Sequence, residues 1–126
     1  MDTLPNILIA EEDISLRRTL TLIFHRKGYC VTSTVPNLQA LELLEEGLFD
    51  LVVIDIHKTD DRGLSLFFKI KKRYPQLPVI VLSSEPECGV VPYMNEESTW
   101  VRITKPFEPS FLLQTAHEFI GAAAMT

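Results

Sequence analysis

Asp55 ends the unbroken apolar run Leu51-Val52-Val53-Ile54, which is β-branched and lacks polar alternation, as a strand covered on both faces requires. Its carboxylate therefore falls at the C-terminal end of a buried strand. In an open α/β sheet, the loops leaving that edge diverge and form a ligand crevice. Other apolar runs end on reactive residues too. Ile7-Leu8-Ile9-Ala10 runs into Glu11, Glu12 and Asp13, Val79-Ile80-Val81-Leu82 into Ser83 and Ser84, and Trp100 to Ile103 into Thr104-Lys105-Pro106-Phe107. Singly, each has an ordinary explanation: an Asp or Ser after a strand is usually a turn residue, and a Lys before Pro is usually a solvated loop charge. Together on one edge they predict a site. Crowded carboxylates repel unless a cation sits among them, and a hard oxygen-only set made of Glu11, Glu12 and Asp55 suits Mg²⁺. The Ser83 hydroxyl and Lys105 ammonium suit the oxygens of a transferred phosphoryl group, with Asp55 as the nucleophile that carries it as an acyl phosphate.

The elements that must position these groups alternate. A strand over Asn6 to Ala10 is followed by a helix from about Ile14 to Lys27, with Leu16, Leu20, Ile23 and Phe24 as its core stripe and Gly28 as its stop. Tyr29 to Ser33 alternates as a near-edge strand. A second helix is expected from Pro36 to Glu46, with Thr34 as N-cap and Gly47 closing it. After the Asp55 strand, a polar loop ends in Gly63, and Leu64, Phe67, Phe68 and Lys71 mark a third helix as far as Tyr74. Pro86, Gly89 and Pro92 interrupt the stretch from Glu85 to Thr99, where a short or irregular helix is expected. A last helix opens near Pro109 and faces Leu112, Ala116, Phe119 and Ile120 inward. This pattern predicts an α/β, doubly wound (βα)5 flavodoxin-like three-layer sandwich with a parallel sheet. Strand order 2-1-3-4-5 sets the first and third strands side by side, bringing Glu11, Glu12 and Asp55 together with Ser83 and Lys105 on the same edge.

At 126 residues and 46% hydrophobic content, the chain is expected to form a single domain with its core at about 5–121. No apolar run approaches the ~20 residues needed to span a bilayer, and the start carries no basic, apolar leader; the expected location is cytoplasmic. Cys30 and Cys88 show no metal spacing or disulfide framework, in keeping with a reducing compartment. A net charge of −5 argues against direct nucleic-acid binding.

From Ile7–Asp13 through Phe49–Asp55 and Pro78–Ser84 to Lys105-Pro106-Phe107, the chain resembles the CheY-like receiver domains of two-component response regulators. The resemblance implies Asp55 as phosphoacceptor, Glu11 and Glu12 as the acidic pair holding Mg²⁺, Ser83 as switch hydroxyl and Lys105 as the lysine pairing with the phosphoryl group. It also implies a cis peptide before Pro106. Departures accompany these matches. Two glutamates replace the usual aspartates, each longer by one methylene, against a metal strict about octahedral geometry. Lys58, Thr59, Asp60, Asp61 and Arg62 replace the usual Met-Pro-x-Met-Asp before Gly63, and Arg102 stands where a switch aromatic is usual. A guanidinium in an apolar slot needs a partner, so Arg102 is expected at the surface or paired with Glu85, Glu96 or Glu97.

The resemblance implies a non-enzymatic signalling domain that at most catalyses its own phosphoryl transfer and dephosphorylation. Its donor would be a sensor histidine kinase or phosphotransfer protein. A downstream effector or a second copy would dock on the face made by the fourth helix region, fifth strand and last helix. The alternative is a pseudo-receiver that keeps the fold and binds a partner without phosphorylation. A phosphatase of the haloacid dehalogenase type also begins from an Asp after an apolar strand, but it needs a second Asp two residues on, where His57 stands.

Overall fold

The computed structural model describes residues 4–57, 61–84 and 99–124. In chain order the elements are β1 (Asn6–Ala10), α1 (Ile14–Arg26), β2 (Cys30–Thr34), α2 (Leu38–Glu46), β3 (Leu51–Asp55), α3 (Arg62–Arg73), β4 (Val79–Ser83), β5 (Trp100–Thr104) and α4 (Pro109–Ala124). The strands form one parallel sheet in the order β2-β1-β3-β4-β5. Strand residues alternate between two cores. Ile7, Ile9, Val53, Ile80 and Leu82 pack with Leu20 and Phe24 of α1 and Leu112 and Ala116 of α4. Leu8, Ala10, Val52, Ile54 and Val81 pack with Ala40 and Leu44 of α2 and Leu66, Phe67 and Ile70 of α3. Both faces of β3 and β4 are thus covered, which explains why their sequences run apolar without a break.

Helix boundaries follow local hydrogen bonding. Asp13 caps α1, its Oδ1 accepting from the Ser15 N–H at 2.8 Å and the Leu16 N–H at 3.4 Å, which gives this third acid a structural task. Gly28, at φ +100°, adopts the left-handed conformation expected of the stop after α1. The second helix begins at Leu38, later than expected, and its cap is Asn37, whose Oδ1 accepts from the Gln39 N–H at 2.9 Å. Thr34 instead closes β2 opposite Ala10. The backbone is still extended at Asn37 (φ −139°, ψ −164°), so the helical turn cannot start at Pro36. The third helix opens at Arg62, earlier than expected, placing Gly63 inside its first turn.

The region in which a short or irregular helix was expected, 85–98, lies outside the described residues, as do Lys58, Thr59 and Asp60. Among the described residues no helix is long and apolar enough to cross a membrane.

Candidate functional site

The strand order sets the ends of β1, β3, β4 and β5 along one edge of the sheet. Asp55 is the last residue of β3 and registers with Leu82, and the next residue, Ile56, donates its N–H to Leu82 O at 2.9 Å. Ser83 ends β4, is fully buried, and accepts at its carbonyl from the Lys105 N–H at 2.9 Å. That bond ties the loop after β5 to the end of β4. The Lys105–Pro106 peptide is cis, as the family resemblance implied.

The side chains converge on Asp55, whose side chain is 1% exposed. Lys105 Nζ donates to Asp55 Oδ2 at 2.6 Å. His57 Nε2 stands 3.5 Å from the same oxygen and 3.8 Å from Glu11 Oε1. Glu11 is fully buried, and its Oε1 accepts from the Asp13 N–H at 2.8 Å. Two buried carboxylate oxygens, Glu11 Oε2 and Asp55 Oδ1, have no hydrogen-bond partner among the described residues. A buried carboxylate oxygen without a donor is costly, and a cation or a shared proton would satisfy both at once. The donor set of Glu11, Asp55 and His57, one ligand atom from each within 4.8 Å of the others, fits a divalent cation.

Not every expected group joins this cluster. The Glu12 side chain is 40% exposed, and its Oε2 lies 3.3 Å from Arg62 Nη1 at the start of α3. Arg102 is half-buried on β5 opposite Val81, while Glu85, Glu96 and Glu97, the acids considered as its partners, lie outside the described residues. His57, which in the sequence stands out only as the residue where a phosphatase of the haloacid dehalogenase type has its second Asp, joins the cluster. Its spacing was a usable signal, since two residues beyond Asp55 an extended chain points its side chain the same way.

Burial, reinforced by the facing Asp55, raises the Glu11 carboxyl to about 8. Its unfolded-state value is ~4.5, so between these values the folded protein holds a proton that the unfolded chain has released. Without divalent cations, stability should therefore fall as pH rises from about 4.5 to about 8. Glu11→Gln, which mimics the protonated carboxyl, should flatten that slope. Urea midpoints across the pH range check this, and an unchanged slope in the variant would contradict it.

The chain matches the response regulator receiver domain model over residues 7–117. It is 31% identical over 103 residues to the DNA-binding transcriptional regulator NtrC of Bradyrhizobium sp. (strain RP501 Parasponia), covering 82% of this chain and 22% of that protein. It is 25% identical over 119 residues to the transcriptional regulatory protein GlrR of Escherichia coli (strain K12), covering 94% and 27% respectively. The chain thus spans about a quarter of the length of these curated relatives. Among solved structures, a CheY-like receiver domain protein from Methanospirillum hungatei JF-1 superposes with a TM-score of 0.83 at 26% identity, with 98% of each chain covered. Matched over nearly its whole length by sequence and by fold, the chain belongs to the response regulator receiver domain family.

Proposed function

We propose that this receiver domain is a phosphoacceptor in two-component signalling, taking a phosphoryl group on Asp55 from a histidine kinase or phosphotransfer protein. The observation that carries the reading is the 2.6 Å contact from Lys105 Nζ to the buried Asp55 carboxylate at the end of β3, with Ser83 buried at the end of the neighbouring β4. In the transfer, an Asp55 oxygen forms a bond to phosphorus as the phosphorus–nitrogen bond of the donor phosphohistidine breaks. The incoming group adds charge beside a buried carboxylate, where Lys105 would supply a counter-charge and the Ser83 hydroxyl a donor. Glu11 and Asp55 would hold Mg²⁺, with Glu12 joining only by leaving Arg62; the bound ion supplies positive charge to the phosphoryl oxygens. The transcriptional output named for the relatives would reach DNA through a downstream effector.

The pseudo-receiver reading has one observation in its favour. Glu12, half of the expected acidic pair, faces Arg62 instead of Asp55, and Glu11 is held toward its neutral form. Incubation with acetyl phosphate and Mg²⁺ separates the two. A phosphoacceptor gains one phosphoryl group, lost in Asp55→Asn; a pseudo-receiver gains none in either protein.

A further inference from the structure

His57 introduces an imidazole nitrogen into a site otherwise built from carboxylate oxygens. Its Nε2 lies 3.5 Å from Asp55 Oδ2 and 3.8 Å from Glu11 Oε1. At metal–ligand distances of 2.0 to 2.2 Å, the ligand atoms of a tetrahedral zinc ion are about 3.4 Å apart. Cis ligands of an octahedral magnesium ion, at ~2.05 Å from the metal, are about 2.9 Å apart. Both separations exceed the octahedral value, which puts the imidazole nitrogen within one ion's reach of both carboxylate groups without fixing a coordination geometry. The choice of ion rests on chemistry: imidazole suits zinc and its first-row neighbours, whereas Mg²⁺ takes oxygen.

A second observation concerns the same two carboxylates. Glu11 Oε2 and Asp55 Oδ1 are buried and without a donor among the described residues, so each carboxylate has an oxygen to give a cation. The other oxygens are already oriented, Glu11 Oε1 by the Asp13 N–H at 2.8 Å and Asp55 Oδ2 by Lys105 Nζ at 2.6 Å. Such outer contacts commonly hold ligating carboxylates in place. The His57 side chain is 41% exposed, so its imidazole meets solvent, from which an ion would arrive.

We propose that His57 acts with Glu11 and Asp55 as a metal ligand and turns this edge into a site that prefers a first-row transition-metal ion, Zn²⁺ or Co²⁺, over Mg²⁺. The proposal rests on the reading of this edge as a divalent-cation site, and it adds which cation the chain selects. His57 is the specificity-determining residue, since Glu11 and Asp55 offer only oxygen.

The test is calorimetric titration of the full chain with Zn²⁺ alone and with Mg²⁺ alone, repeated on His57→Ala and Asp55→Asn. The expected result is Zn²⁺ binding at least tenfold tighter than Mg²⁺, with the Zn²⁺ to Mg²⁺ affinity ratio falling at least tenfold in His57→Ala. Asp55→Asn should weaken both ions. Co²⁺ bound to the unaltered chain should give the intense visible bands of a four-coordinate site, and His57→Ala the weak bands of an octahedral one. A Zn²⁺ affinity that His57→Ala changes less than twofold, or that Asp55→Asn leaves intact, overturns the proposal. Acetyl phosphate labelling in Mg²⁺, read separately, keeps the two ideas distinct. Labelled Asp55 with His57-independent Zn²⁺ binding sinks only this inference, whereas His57-dependent Zn²⁺ binding without any labelling supports it and sinks the phosphoacceptor reading.

Discussion

Lys105→Met should destabilise the fold by about 3 kcal/mol, the lower end of the range for removing one partner of a buried ion pair. The lower end applies because Lys105 is 21% exposed, while Asp55 is 1% exposed. The methionine fills similar volume, so the loss is electrostatic: the buried Asp55 carboxyl group is left beside Glu11 without the ammonium that stood at 2.6 Å. Asp55→Asn should cost much less, because it removes a carboxylate from a crowded acid pair. The double variant should recover most of what Lys105→Met loses, giving a coupling energy that urea denaturation of the four proteins measures. Additive losses would mean that the two side chains do not depend on each other in the folded protein.

Gly63→Ala is expected to cost about 2 kcal/mol, although alanine is the better helix former by ~1 kcal/mol. An added Cβ would stand 2.5 Å from the Asp55 carbonyl oxygen and 3.4 Å from the Asp55 carbonyl carbon and Ile56 Cα. All three are backbone atoms of the strand end, so none can rotate aside, and the first turn of α3 must lift off the sheet. The same movement would carry Arg62 from Glu12 and shift the Asp55 backbone, so phosphoryl uptake on the proposed acceptor should fall together with stability. A variant as stable as the parent, to within ~0.5 kcal/mol, would mean that α3 adjusts without strain.

The fold was legible because burial on two faces leaves a plain mark: β3 and β4 are apolar at each position before their last residue. Strand order followed from placing the acids together, and the sheet has that order. Boundaries were less legible. Thr34, Pro36 and Asn37 each suit a helix start, and the choice fell to Asn37 through a single side-chain hydrogen bond. Within the site, adjacency hid the difference between Glu11 and Glu12. Ile9 and Val53 face the same core, so Glu11 and Asp55, two residues beyond each, continue in that direction, whereas Glu12 turns to Arg62. For His57 the signal was partial: the two-residue spacing puts it on the Asp55 side of the chain, while the closeness of its approach depends on the path after the strand and on a rotamer.

Phosphorylation of Asp55 is tested by intact mass followed by peptide mapping after incubation with acetyl phosphate and Mg²⁺. A single phosphoryl group is expected, located on the peptide containing Asp55, abolished by Asp55→Asn and reduced by Lys105→Met. No adduct on the parent chain, or an adduct that persists in Asp55→Asn, would contradict it.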